Sequence, residues 1–196
     1  MDDVVKAANE ETRALPDEQV RERIVQLAFG GSEERWQAFV EALRAVVPRD
    51  AAVVLRGSVV TGVRWADGAT FDAEGVGTSD LDLTLVGGDM LKLFESHYIP
   101  GLHSVPLSDD NPEAAPALLP LRRALCALTN RPVNIQATSS IVQYGRDVLM
   151  DQPYFTVLEK EEMPEDHPDG RIPWREGTVL DEGPARDGGG EGDPGR

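Results

Sequence analysis

Apolar positions recur at helical spacing through the first fifty residues. A stripe with the period of an α-helix follows Pro16, which suits the first turn of a helix. Ser32 then stands where an N-cap belongs, and Pro48 closes the amphipathic segment behind it. These patterns predict a helical stretch over residues 2–28, broken near Pro16, and a further helix over 33–47.

Short apolar runs alternate with helical patterns after residue 50. Runs with strand character occupy residues 51–56, 81–86 and 132–138. Helical patterns occupy residues 59–64, 89–97, 117–128 and 142–150, the first of them weakened by β-branched side chains. The remaining stretches predict a flexible, glycine-bearing excursion at 66–79, a surface loop at 100–116, and a strand or extended loop at 154–159.

This alternation predicts a mixed α/β (α+β) domain, in which a small mixed sheet is packed by helices on one side. Its strands lie near Ala51, Leu81 and Val133, and the N-terminal helices extend it. By its length, the body over residues 1–162 is expected to be a single domain. Pro, Gly, Asp, Glu and Arg dominate residues 163–196, so we expect a disordered acidic tail there.

Charge and cysteine content narrow the classes of function. The 196 residues carry a formal charge of −16, which argues against direct binding to nucleic acid or to an anionic membrane. Cys126 is the only cysteine, so neither an intramolecular disulfide nor a cysteine metal cluster can form, and its apolar neighbours predict a core position. No apolar run reaches the length of a membrane span, and the acidic N-terminus lacks the character of a targeting peptide. We therefore expect a reducing, cytoplasmic setting.

Two aspartates spaced two residues apart mark the strand predicted at 81–86. Asp80 and Asp82 leave the same face of an extended chain, whereas the leucines between and after them point toward the core. Same-face neighbours lie roughly 6.5–7 Å apart along a strand, which lets both carboxylates converge on Mg²⁺ together with phosphate oxygens. The pair predicts a metal site, although an isolated pair of this kind equally suits a turn cap followed by an edge-strand charge.

A glycine-serine pair follows the strand predicted at 51–56. Gly57 lets the backbone approach a phosphate, Ser58 adds a hydroxyl, and a helix starting at Val59 would turn its free N–H groups the same way. Arg56 and Arg64 flank this turn and are candidate contacts either for a triphosphate or for the acidic surface. An anion cradle and a cation holder on neighbouring strands suit the transfer of a nucleotidyl group.

The segments LRGSVVTG and SDLDLTLV together resemble the glycine-serine and paired-aspartate signature of the DNA polymerase beta-type nucleotidyltransferase superfamily. The resemblance is closest to the minimal nucleotidyltransferases, where Gly62 matches the glycine that follows the Gly-Ser turn. The later segment VNIQATSSIVQYGRDVLM is similar to their third strand and following helix. The resemblance covers residues 51–150 and implies a nucleotidyltransferase-type mixed sheet.

This resemblance also implies a site and a reaction. Asp80 and Asp82 would be catalytic and would hold Mg²⁺, while Gly57, Ser58 and Arg56 would bind a nucleoside triphosphate. The implied reaction transfers a nucleoside monophosphate, with AMP from ATP favoured, to a hydroxyl of a protein or a small molecule. Minimal nucleotidyltransferases often act as antitoxins that adenylylate a partner ribonuclease toxin, which makes a toxin or another protein a candidate acceptor.

Two features depart from the family pattern. Asn134 stands where the family has its third carboxylate; it can ligate a metal through its amide oxygen but cannot act as a base. Loss of a general base alone costs about 10²–10⁴-fold in rate. The insert before Asp80 is longer than the family shows, and Asp72 or Glu74 on it is a candidate replacement acid. The alternative function is a catalytically degenerate protein of this fold that binds nucleotide or a protein partner.

Several other side chains receive structural interpretations. The three histidines lack metal-ligand spacing and are expected to be solvated: His97, His103 and His167. Arg122 and Arg123 are expected to lie on a solvated helix face, whereas Trp36 and Phe39 are expected in the core.

Overall fold

Six β-strands form one mixed sheet in this computed structural model, which describes residues 3–147, 150 and 152–161. The strands are β1 Ala52–Arg56, β2 Leu81–Val86, β3 His97–Ile99, β4 His103–Ser104, β5 Val133–Thr138 and β6 Tyr154–Leu158. Their order across the sheet is β3-β4-β5-β2-β1-β6, with β2 and β5 parallel and every other neighbouring pair antiparallel. The three predicted strands are β1, β2 and β5, which lie side by side, so the mixed α/β class is confirmed.

Seven α-helices accompany this sheet in the described part of the chain. They are α1 Asp3–Ala14, α2 Asp17–Phe29, α3 Glu33–Arg44, α4 Ser58–Thr61, α5 Gly88–Leu91, α6 Leu119–Thr129 and α7 Ile141–Asp147. The predicted N-terminal helices and the break at Pro16 are confirmed. Ser32 caps α3 as predicted, because its hydroxyl oxygen accepts a hydrogen bond from the backbone N–H of Arg35 at 3.3 Å.

The core lies between the central strands and the N-terminal helices. Leu81, Leu83 and Leu85 on β2 are fully buried, as the alternation in the sequence predicts. Trp36 and Phe39 are buried as predicted, and each ring contacts Phe29, with centroids 5.4 Å and 5.2 Å away. Burial of each aromatic side chain of this kind contributes about 1.5–3 kcal/mol relative to leaving it in water.

The helix predicted over 89–97 begins as predicted but is much shorter, since α5 ends at Leu91 and the chain enters β3 at His97. After α5 the chain changes to the tighter hydrogen-bond pattern of a 3₁₀ turn: the N–H groups of Leu93 and Phe94 each donate to a carbonyl three residues back. The next N–H, that of Glu95, donates instead to the carbonyl of Ala114 at 2.8 Å. A contact distant in sequence therefore takes the donor that a longer helix needs.

The surface loop predicted over 100–116 is also wrong in part. It contains β4, and its Leu107 is fully buried. Leu107 exchanges two backbone hydrogen bonds with Ile135 on β5, at 2.8 and 3.1 Å. The prolines and acids of the segment face outward around these contacts, which is why its composition resembles that of a loop.

The excursion at 66–79 folds back onto the body, where Phe71 joins the buried core and an ion pair adds a polar link. Arg131, just before β5, donates to both carboxylate oxygens of Asp72, at 2.9 and 3.2 Å. Asp72 also accepts from the backbone N–H groups of Gly77 and Ser79, each at 2.9 Å. Arg131 donates in addition to the carbonyl of Ser79 at 2.9 Å. Ser79, which precedes the predicted metal ligand at position 80, is thus held through both its N–H and its carbonyl.

No helix in the part of the chain that the structure describes is long and apolar enough to cross a membrane. The tail predicted at 163–196 lies outside the described residues.

The Asp72–Arg131 pair generates a stability prediction. Burial alone would raise the pKa of Asp72, but the Arg131 guanidinium and the two backbone N–H groups outweigh it and lower this pKa to about 2. Since the folded pKa lies below the unfolded value, the stabilisation is present above about pH 4 and is lost as the pH falls toward 2. Asp72→Asn is expected to lower the free energy of unfolding at pH 7 by about 3 kcal/mol, because Arg131 is left buried without a counter-charge.

Urea denaturation at pH 7, 4 and 2.5 measures this effect. Asp67→Asn is the matched control, because Asp67 forms an exposed ion pair with Arg64 in the same excursion. It is expected to shift the unfolding midpoint far less. Equal midpoint shifts for the two variants would contradict the structural role assigned to Asp72.

Candidate functional site

A cleft of about 1200 Å³ opens at one edge of the central strands. β1 ends at this edge, whereas β2 and β5 begin there, because β1 runs antiparallel to β2 and β2 runs parallel to β5. The sheet register pairs Arg56 with Asp82 and Asp82 with Asn134. The sequence-predicted residues that line the cleft are Arg56, Gly57, Ser58, Arg64, Asp80, Asp82 and Asn134. Positions spread over 79 residues of sequence are therefore brought together as predicted.

An amide bridges the two carboxylates. Nδ2 of Asn134 donates to Oδ2 of Asp80 at 2.6 Å and to Oδ1 of Asp82 at 3.3 Å. Asp80 presents surface to solvent at the mouth of the cleft, but surrounding protein displaces part of its water. This desolvation, followed by repulsion from Asp82, raises the pKa of Asp80, and the Asn134 hydrogen bond opposes the rise. A cation placed between the carboxylates would relieve that repulsion.

The Gly57-Ser58 turn lies directly against this carboxylate pair. Gly57 has φ 80° and ψ −155°, a conformation open almost only to glycine. A Cβ added at Gly57 would lie 3.2 Å from Oδ2 of Asp82. Ser58 then begins α4, a single turn that closes where the N–H of Gly62 donates to the carbonyl of Ser58 at 2.8 Å. The glycine therefore allows the turn and the acidic strand to approach closely.

Arg56 is fixed in the floor of the cleft. Its Nη1 lies 3.3 Å from Oδ2 of Asp82, and its Nη2 donates to Oε1 of Gln136. Nε of Arg56 is buried and has no hydrogen-bond partner among the described residues. The guanidinium thus places one positive charge beside the acidic pair and keeps one N–H group unsatisfied.

A hydrogen-bonded set of buried side chains adjoins Arg56 and was not predicted from the sequence; it comprises Gln136, Tyr144 and His103. The hydroxyl of Tyr144 donates to Oε1 of Gln136 at 3.3 Å, and Nε2 of Gln136 lies 3.5 Å from Nε2 of His103. Nδ1 of His103 lies 3.4 Å from the carbonyl oxygen of Ala137, so a neutral ring protonated on Nδ1 satisfies both contacts. Burial lowers the pKa of His103, which favours this neutral form.

The expectation that His103 is solvated is therefore wrong. It lies on β4, within the segment predicted to be a loop, and no local pattern marks it. The position of Gln136 could be inferred from the sequence, because alternation along β5 places it on the same face as Asn134. His97 is exposed as expected, and His167 lies outside the described residues.

The structure places neither candidate replacement acid at the carboxylate pair. Asp72 is bound to Arg131, and Glu74 pairs with Arg64 at 2.8 Å. Arg64 also pairs with Asp67, so this arginine contacts the acidic surface, which was one of its two predicted roles. Asn134 remains the third polar group beside Asp80 and Asp82.

The donor set fits a magnesium ion that brings part of its own coordination shell. Mg²⁺ is typically held by one or two carboxylates together with substrate phosphate oxygens and water. Asp80 and Asp82 supply the carboxylates, and rotation of the Asn134 amide would present its oxygen as a further ligand. Among the described residues there is no cluster of three or more His, Cys, Asp or Glu side chains able to hold a metal.

Gly57 generates a prediction that tests the geometry of the turn. Gly57→Ala is expected to lower the free energy of unfolding by about 1–3 kcal/mol, because alanine is strained at this φ and ψ and its methyl group crowds Asp82. Gly88→Ala is the matched control, since a Cβ at Gly88 meets nothing within 4 Å. The control should unfold at or slightly above the wild-type denaturant midpoint. Equal destabilisation of both variants would show that the turn is not strained.

Comparison with known proteins identifies no protein of similar sequence or structure. No family model matches the sequence, and no curated protein or solved structure shows significant similarity to it.

Proposed function

We propose that this protein is a magnesium-dependent nucleotidyltransferase with a nucleotidyltransferase-type fold. It transfers a nucleoside monophosphate, with AMP from ATP as the favoured donor, to a hydroxyl of a protein or a small molecule. One observation carries the proposal: the Gly57-Ser58 turn, Asp80 and Asp82 meet in one cleft, although the chain makes a long excursion between them. The sequence resemblance to minimal nucleotidyltransferases supports the same function.

The proposed reaction exchanges one phosphorus–oxygen bond for another. The acceptor hydroxyl oxygen bonds to the α-phosphorus, the bond to the bridging oxygen breaks, and pyrophosphate leaves with the bonding electrons. The hydroxyl proton passes to water, since the third acidic position is an asparagine. Bound Mg²⁺ would offset phosphate charge and align the attacking oxygen.

The chain's own residues supply positioning and charge in this scheme. Asp80 and Asp82 hold the metal, and the Cβ-free Gly57 lets phosphate oxygens approach the backbone. Ser58 offers its hydroxyl to the triphosphate. Arg56 contributes a positive charge whose position is fixed by Asp82 and Gln136.

The proposed acceptor class follows from the resemblance. A protein acceptor, such as a ribonuclease toxin neutralised by adenylylation, would make this chain an antitoxin. We propose the cytoplasm as its location, because both ATP and a toxin partner would be present there.

An alternative function has a specific observation in its favour. Asn134 donates to both carboxylates, and Arg56 neutralises part of the charge on Asp82. A site balanced in this way suits a catalytically degenerate protein that binds nucleotide or a partner protein without transfer.

Transfer of label from α-labelled ATP to candidate acceptor proteins tests the two functions. Asp80→Asn and Asp82→Asn are expected to lower the rate at least about 10²-fold, because each removes a charge that holds the metal. Asp89→Asn is the matched control, since Asp89 is exposed on α5 and pairs with Lys92. Tight ATP binding without label transfer would support the degenerate protein instead.

Asn134 provides a gain-of-function prediction. Asn134→Asp is expected to increase Mg²⁺ affinity and to raise transfer by about 10²-fold or more, because it adds a third carboxylate able to act as a base. Magnesium titration and initial rates measure the two effects. Gln19→Glu adds the same charge in the first turn of α2 and should change neither quantity. Unchanged rates in Asn134→Asp would show that position 134 is not the site of the missing acid.

A further inference from the structure

A second cleft, of about 570 Å³, lies beside the first and is lined by three arginines. We name it the arginine cleft; its cationic residues are Arg122, Arg123 and Arg131. Arg122 and Arg123 lie on α6, and Arg131 follows the end of that helix. Asp109 is the only acidic residue among those that line it. Three cationic side chains gathered against one carboxylate stand out in a chain with a formal charge of −16.

Arg122 is the most constrained of the three. Its side chain is only 7% exposed, which corrects the expectation of a solvated helix face at this position. Nε donates to the carbonyl of Val133 at 2.7 Å, and Nη1 donates to Asp109 at 2.8 Å. Nη2 is buried and has no hydrogen-bond partner in the described part of the chain. An unsatisfied N–H group on a buried guanidinium is costly unless an acceptor approaches it.

The ion pair between Arg122 and Asp109 differs from a purely structural pair, because its two partners differ in exposure. The Asp109 side chain is 77% exposed, so water screens its charge while the arginine remains buried. Arg131 differs, since its partner Asp72 is only 15% exposed and is not among the residues that line the cleft. Arg123 lies on the exposed surface of α6, at the next position along the helix. The cleft therefore retains positive charge after its ion pairs are counted.

We propose that the arginine cleft binds a phosphate group of a ligand distinct from the nucleotide. Guanidinium groups form charge-assisted, often bidentate hydrogen bonds with phosphate. Arg123 lines the cleft and is exposed, and the buried Arg122 beside it carries an N–H group that no described residue accepts. Asp109 and Pro132 line both clefts, so a ligand held here lies next to the candidate nucleotide site. The inference does not depend on transferase activity.

The single cysteine of the chain reports on this site. Cys126 is half-buried and lines the arginine cleft, so its alkylation by iodoacetamide, an uncharged reagent, should slow when a phosphate occupies the cleft. Inorganic phosphate and glycerol phosphate are the probes, each compared with sodium chloride at equal ionic strength. Calorimetric titration of the same probes measures binding directly. We expect saturable binding of both phosphate probes and slower alkylation of Cys126 in their presence, and neither effect with sodium chloride. The absence of either effect with the phosphate probes overturns the proposal.

Two variants change the charge of the cleft in opposite directions. Arg123→Gln removes an exposed cation and is expected to weaken phosphate binding about tenfold. Asp109→Asn removes the opposing negative charge while keeping an amide oxygen able to accept from Nη1 of Arg122, so phosphate binding should tighten by a similar factor. Arg44→Gln on α3 is the matched control and should bind as wild type does. Equal affinity in Arg123→Gln and wild type, or weaker binding in Asp109→Asn, would refute the site.

A final comparison separates the two sources of phosphate. In Asp82→Asn the proposed nucleotide site is impaired, yet protection of Cys126 by glycerol phosphate should be retained. If only Mg·ATP protects Cys126, and Asp82→Asn removes that protection, the phosphates of the nucleotide fill the cleft and no separate ligand is bound there. That outcome would overturn the proposal and leave the transferase function standing.

Discussion

The pairing of β2 with an antiparallel β1 on one side and a parallel β5 on the other positions the polar side chains of the candidate site. That pairing sets Arg56, Asp82 and Asn134 in one row across three strands. A slip of one residue on any of these strands would turn its polar side chain to the opposite face and expose a buried one. The buried leucines of β2 therefore hold the register that the carboxylate site requires, and stability and function depend on the same alternation.

Arginine side chains also position the candidate site, because they link segments that are distant in sequence. Arg131 joins the carbonyl of Leu27 on α2 to Asp72 and Ser79 of the excursion. Because Ser79 directly precedes Asp80, an ion pair outside the candidate nucleotide cleft fixes the chain just before the two carboxylates, Asp80 and Asp82. Arg56 acts inside the cleft, where Gln136 and Asp82 hold it. Arg122 also pairs with a carboxylate, but its partner Asp109 is exposed, whereas Asp72, the partner of Arg131, is mostly buried. We therefore assign the Arg131 pair to structure and the surroundings of Arg122 to the proposed phosphate site.

The central strands and the carboxylate cleft were predictable, because β1, β2 and β5 have apolar runs strong enough to be recognised locally. The edge strands β3 and β4 were not, since three and two residues carry no usable periodicity and their positions depend on contacts such as that of Glu95 with Ala114. Burial of His103 and Arg122 was missed for the same reason. Both side chains take their environment from β5, which is more than ten residues away in sequence from either of them and whose position only tertiary structure provides.

The charge balance of the row Arg56–Asp82–Asn134 together with the neighbouring Asp80 links the two proposed functions. Two carboxylates and one fixed guanidinium leave a single net negative charge, whereas a third acid would leave two. The lower charge weakens attraction for a bare metal ion, but it also lessens repulsion of an incoming triphosphate. Such a row suits a magnesium ion that arrives already bound to nucleotide phosphates. The proposed transferase and a degenerate protein that binds nucleotide would share this step, and what distinguishes the two is whether the acceptor proton can leave without a protein base.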